Sequence, residues 1–143
     1  MATQTRAELS QDVFLSLVSV HDRLAGEFAQ FFRSHGMTMA QYNVLRILRG
    51  AGEPLPCATI AERLVHREPD VTRLLDRMEA AGLVTRERST QDRRVVHTRL
   101  TADGRRACDE LEQPALDLHA KQLKGVSVAD LKELLRTLEL VLA

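Results

Sequence analysis

The chain has 143 residues, 44% of them hydrophobic and 28% charged, which is enough apolar material for a folded core and too much for a disordered chain. Lys plus Arg equals Asp plus Glu at 20 each, so overall charge does not argue for a nucleic-acid partner. Two cysteines, Cys57 and Cys108, exclude a disulfide framework. There is no apolar run of roughly 20 residues and no signal-peptide core in MATQTRAELSQD, and the expectation is a cytoplasmic protein without a membrane partner.

Apolar residues at Leu9, Val13, Phe14, Leu17, Val20, Leu24, Phe28 and Phe31 recur every three or four positions and predict one long helix over Leu9 to Phe32. Ser34-His35-Gly36 ends it, with glycine where a left-handed cap is needed. A second helix is expected from Met39 to Arg49, capped by Thr38, with Tyr42, Leu45 and Leu48 inward and a break at Gly50-Ala51-Gly52-Glu53-Pro54. A short helix over Cys57 to Leu64 should bury Ile60 and Leu64. The turn Val65-His66-Arg67-Glu68 leads to Pro69, which suits the first position of a helix reaching Ala81 and burying Val71, Leu74, Leu75 and Met78. Two helices joined by so short a turn form a helix-turn-helix unit.

After Gly82, Leu83 to Arg88 and Val95 to Leu100 alternate as strands, with turn chemistry at Ser89-Thr90-Gln91-Asp92. From Leu83 to Leu100 five arginines (86, 88, 93, 94, 99) stand against Glu87 and Asp92, a local charge of +3 on a neutral chain. Screening confines charge effects to about 10 Å, so a local basic patch suffices to attract phosphate. Thr101 begins a helix to about Lys124 carrying Leu111, Leu116, Leu118 and Leu123, which Pro114 should bend; Gly125 stops it. Ser127 to Asp130 opens a last amphipathic helix with Leu131, Leu134, Leu135, Leu138 and Leu142. The fold class expected is mainly α (α+β): about six helices and one β-hairpin wing.

A helix of major-groove size followed by an arginine-tipped hairpin is the layout of a winged helix-turn-helix reader of double-stranded DNA. On the recognition helix, Thr72, Arg73 and Arg77 lie opposite the leucines, with Pro69 and Asp70 in the first turn and Arg67 just before it. Asp70 either stabilises the helix N-terminus, by roughly 0.3–1 kcal/mol, or accepts from a cytosine amine or orients Arg73. Arg73 can equally pair with Asp76 one turn on. In the wing, Arg88, Asp92, Arg93 and Arg94 are the candidates: a tip arginine can enter a narrow minor groove, and an aspartate two residues earlier can hold its guanidinium.

From about Thr38 to Gly104 the chain resembles the MarR family of bacterial transcription regulators, through MTMAQYNVLRIL, ATIAERL, DVTRLLDRMEAAGLV, the QDRR wing tip and LTADG. The resemblance implies one domain over 1–143, with a winged helix-turn-helix at 38–104 and dimerisation helices at 9–34 and 105–143. It implies a homodimer on a pseudo-palindromic operator, each subunit offering recognition helix 69–81 and wing 83–100, usually as a repressor. Arg94 matches the family's minor-groove arginine, Asp92 the acid that orients it, and Thr72 and Arg73 the positions that touch bases or phosphates. The dimer contacts expected are Leu9, Val13, Phe14, Leu17, Leu131, Leu134, Leu135 and Leu138. Two departures stand out: Asp70 is acidic where small or polar residues are commoner, and Pro56 replaces the usual Ser/Thr cap.

The resemblance also implies a pocket for a small aromatic or phenolic effector, with His21, Phe28, Phe32, Tyr42 and Arg46 as candidates; the competing reading of the aromatics is core packing. Cys57, near a helix N-terminus, is a candidate redox sensor, against the reading of an inert thiol. The histidines at 21, 35, 66, 97 and 119 lack metal-ligand spacing, and no phosphate loop or nucleophile arrangement appears, so no metal, cofactor or enzymatic activity is expected. The remaining alternative is a winged-helix module for protein assembly.

Overall fold

The computed structural model describes residues 3–65 and 67–143. Among them are six helices and three strands: α1 (Arg6–Ser34), α2 (Met39–Ala51), β1 (Leu55–Pro56), α3 (Cys57–Arg63), α4 (Val71–Ala80), β2 (Val84–Arg88), β3 (Val96–Leu100), α5 (Ala102–Gln122) and α6 (Val128–Leu142). No helix is long and apolar enough to cross a membrane among the described residues. They fall into two compact units, 1–110 and 111–143, parting within α5.

Helix boundaries follow local hydrogen-bond chemistry. The Thr5 hydroxyl accepts the Glu8 N–H while the Glu8 carboxylate accepts the Thr5 N–H at 2.8 Å, a capping box that starts α1 a turn before the apolar stripe. The Thr5 N–H foremost, and the Thr5 hydroxyl that also donates to the carboxylate at 2.8 Å, hold the Glu8 carboxyl below its ordinary pKa. Thr38 and Gln41 form the same box on α2. Helix α2 does not break at Gly50; it continues through Ala51 and stops at Gly52, whose φ of +67° reverses the chain. Helix α3 begins at Cys57 immediately after Pro56, with no side-chain cap bond, and Leu64 and Val71 are half-buried rather than core.

The sheet order is β1-β3-β2, all antiparallel, with Val84 opposite Leu100 and Arg88 opposite Val96. Strand β1, absent from the sequence reading, sets Leu55 against Thr98 and Pro56 against His97 on the far side of β3. It is a two-residue strand containing a proline, so only the partner strand reveals it. The core of the first unit gathers Phe32, Val44, Leu45, Leu48, Leu55, Ile60, Leu74, Leu75, Met78, Val84 and Cys108, each almost fully buried. At burial of this depth each large side chain contributes about 1.5–3 kcal/mol.

Helix α5 docks at its start: the Thr101 hydroxyl accepts the Gly104 N–H at 2.9 Å and donates to the Gly82 carbonyl at 2.7 Å, while the Thr101 N–H reaches the Leu83 carbonyl at 3.1 Å. Gly104 is buried so tightly that a Cβ there would lie 2.1 Å from the Leu83 carbonyl oxygen. The helix stays continuous through Pro114 and ends at Gln122, two residues short of expectation. In the second unit Ser127 caps α6 by accepting the Asp130 N–H at 3.1 Å.

A candidate nucleic-acid interface

Helix α4 turns Leu74, Leu75 and Met78 into the core, which leaves Thr72, Arg73, Asp76 and Arg77 on the outer face by the 3.6-residue period. Its ten residues span about 15 Å, against a major groove about 12 Å wide. The first helical residue is Val71, not Pro69, because Asp70 occupies the N-cap. Asp70 Oδ1 accepts the Arg73 N–H at 2.9 Å, and Oδ2 lies 3.7 Å from Arg73 Nε. One carboxylate therefore both caps the helix and steadies the arginine above it. The expected Arg73–Asp76 pair is not formed. Pro69 and Arg67 are exposed ahead of the helix, and His66 of the same turn lies outside the described residues.

Asp76 points instead to Arg86 on β2. The Arg86 guanidinium bonds Asp76 and, at 3.1 Å, Glu79, and the Arg86 N–H donates to the other Glu79 oxygen at 2.9 Å. Burial works against the Arg86 charge, but the two carboxylates outweigh it and raise its pKa further. Arg86, counted above with the basic patch, is thus a tie between recognition helix and wing. The signal for it was absent from the sequence, since its partners lie 7 and 10 residues away on another element.

The wing tip is organised by short-range bonds. Ser89 Oγ accepts from the N–H groups of Gln91 and Asp92, and the Ser89 N–H reaches the Val95 carbonyl at 2.8 Å. Asp92 accepts from the Arg94 backbone at 3.0 Å and takes its guanidinium in a fork, Nε at 3.2 Å and Nη2 at 3.3 Å. These bonds, the side-chain one first, depress the Asp92 pKa. The Arg94 side chain nonetheless remains 91% exposed, held at its root and open at its end. Arg88 Nη1 donates to the Arg93 carbonyl at 3.0 Å, and Arg93 itself is exposed.

Between helix and wing lies a crevice of about 370 Å³ lined by Pro56, Cys57, Thr72, Arg86, Arg94 and Val96. Cys57 is half-buried in its wall, while Cys108 is fully buried in α5; the two are not joined by a disulfide. No group of three or more His, Cys, Asp or Glu able to hold a metal occurs among the described residues.

Of the five effector candidates, three pack together and two are exposed. Phe28, Phe32 and Tyr42 are buried and stacked, with Phe32 5.7 Å from Phe28 and 5.0 Å from Tyr42 between ring centroids. Both separations fall in the ordinary range for aromatic contacts. His21 is exposed two turns before Phe28, and Arg46 is exposed on α2, about 100° around the helix from the buried Leu45. The dimer candidates behave otherwise: Leu9, Val13, Phe14 and Leu17 on α1, and Leu134 and Leu135 on α6, are 39–63% exposed, while Leu131 and Leu138 are half-buried.

Helix α3, a short turn, α4 and the β2–β3 hairpin define a winged helix-turn-helix protein. Residues 35–95 match the MarR family. The repressor MdtR of Bacillus subtilis is 35% identical over 97 residues, 68% of this chain and 62% of that protein's length. The multiple antibiotic resistance protein MarR of Salmonella typhimurium is 36% identical over 107 residues, 70% and 72% of the two chains. The crystal structure of a MarR transcription factor from Planctomyces limnophilus covers 98% of each chain with a TM-score of 0.73 at 35% identity. At 23% identity, a mutant MarR of E. coli complexed with operator DNA has the same fold, with a TM-score of 0.83 over 98% of this chain and all of that one. The chain belongs to the MarR family.

Proposed function

We propose that this chain is a ligand-responsive DNA-binding repressor, working as a homodimer in the cytoplasm and not as an enzyme. The observation that carries the reading is the pairing of Asp92 with an Arg94 left 91% exposed at the wing tip, beside a helix whose outer face carries Thr72, Arg73 and Arg77. Anchoring a guanidinium without covering it cuts the entropy lost when it enters a narrow minor groove. Arg73 and Arg77, one turn apart, are of the type that reads guanine edges bidentately. Pro69 and Arg67 lead into the helix, and Arg88 and Arg93 complete the wing's positive face. The operator complex solved for E. coli MarR supports carrying this chemistry to the present chain.

The dimer rests on apolar side chains that α1 and α6 leave to solvent, Phe14 at 63% and Leu135 at 60% among them. Covering such residues with a second copy recovers roughly 25 cal/mol for each Å² removed from water. Two heads then face half-sites one helical turn, about 34–36 Å, apart. The effector in this reading is a small aromatic or phenolic acid.

The test is a salt series of binding to promoter fragments by fluorescence anisotropy, with Arg94→Ala alongside. A DNA reader loses affinity linearly on a log–log plot, and removing one phosphate-facing charge from each head lowers the slope by about 0.9 per head. A flat salt response, or an unchanged Arg94→Ala, overturns the proposal.

A further inference from the structure

On α2, Asn43, Arg46 and Ile47 lie on the face turned away from Leu45 and Leu48. With Arg49, with Arg63 at the end of α3 and with Val65 two residues beyond it, they surround a cleft of about 380 Å³. No aspartate or glutamate lines it among the described residues. Arg49 is bonded to Asp109 on α5 at 2.9 Å, whereas Arg46 and Arg63 form no ion pair among the described residues. With Arg49 neutralised by Asp109, the guanidiniums of Arg46 and Arg63 still make a local excess of positive charge at the cleft that an anion would relieve.

We propose that this cleft binds a small anion: a carboxylate or phosphate group on a compact apolar body. Arg46 and Arg63 offer planar forks suited to either oxyanion, the Asn43 amide offers a further donor, and Ile47 and Val65 form an apolar wall. The volume lies within the range of small-molecule sites. Helix α3 separates this cleft from the crevice beside the wing: Cys57 at its first turn lines that crevice with Thr72 and Arg94, and Arg63 at its last residue lines the basic cleft. Seven residues span about 10 Å, so the two sites stand at opposite ends of one short helix. Val65 belongs to the turn leading into α4, through which a bound anion would act on the recognition helix. That coupling rests on the DNA-binding reading above; the anion site does not.

The experiment follows backbone amide shifts of the full chain during titration with sodium benzoate, inorganic phosphate and benzyl alcohol, a neutral counterpart of benzoate. Saturable shifts at Asn43, Arg46 and Arg63 are expected with at least one anion and not with the alcohol. Arg46→Gln/Arg63→Gln, both at exposed positions, should weaken that binding about tenfold or more while preserving the spectrum elsewhere. Phosphate alone would identify a phosphate-bearing ligand and benzoate alone a carboxylate. Binding of neither, equal shifts with the alcohol, or unchanged affinity in the double variant overturns the site. The same variant without added anion should hold operator affinity and salt slope within about twofold. A slope lowered by about 0.9 per lost arginine would assign these residues to the DNA backbone and overturn the proposal.

Discussion

Replacing Arg86 by methionine keeps the stem and removes the guanidinium that joins the recognition helix to the wing. The Arg86 side chain is 20% exposed, but Asp76 is 53% and Glu79 41% exposed, so both carboxylates regain water when the cation leaves. The cost therefore lies below the 3–5 kcal/mol of a broken buried pair. It lies nearer two surface pairs of roughly 0.2–1 kcal/mol each, strengthened by partial burial: about 1–2 kcal/mol in all. For a chain of this length that lowers Tm by about 3–8 °C, measurable by calorimetry. Operator affinity should fall about tenfold, because helix and wing no longer hold one mutual angle. The salt slope should not change, since Arg86 is neutralised within the fold and faces no phosphate. An unchanged Tm together with a slope lowered as in Arg94→Ala would show Arg86 to be a free DNA-facing cation and refute the reasoning.

Gly104→Ala puts a methyl 2.1 Å from a backbone oxygen that cannot swing aside, and should destabilise by about 3 kcal/mol, roughly 10 °C in Tm by circular dichroism. Leu17→Asp or Leu135→Asp places a charge on an apolar stripe and should shift the sedimentation coefficient from dimer to monomer at micromolar concentration. The wing tip should resist acid. Because the folded Asp92 pKa is depressed, its bonds to Arg94 are complete above the ordinary value of 3.8 and are lost only as pH falls through the lower folded value. The Arg94 Nε–H resonance should therefore begin to shift only below that pH; a transition at or above it would contradict the geometry.

Much of the architecture was legible in the residues because it is written locally. Thr38 before an apolar period, Gly82 after one and Thr101 at the head of α5 each act within a few residues, and each stands at the cap or turn expected. The earlier start of α1 was legible too: Thr5 and Glu8 have capping-box spacing, a signal overlooked because the apolar stripe begins later. Pro69 misled for a related reason. Proline favours a first helical position, yet the carboxylate beside it caps the helix more effectively and moved the start to Val71. The wing tip was legible at the level of residues, and Asp92 meets Arg94 as the two-residue spacing suggested.

The order and kind of the elements, their caps, and the apolar stripe of each helix depend on neighbours no more than a turn or two away, so the residues alone settle them. What those stripes and charges meet is settled by folding in three dimensions. Folding placed Arg86 between two carboxylates, laid Leu55 and Pro56 along β3, buried Phe28, Phe32 and Tyr42, and left Phe14 and Leu135 in solvent. An apolar side chain or an arginine carries the same propensity whether its partner is the core, a distant strand or another molecule. Only the closure of long loops, whose cost and reward involve the whole fold, selects among them.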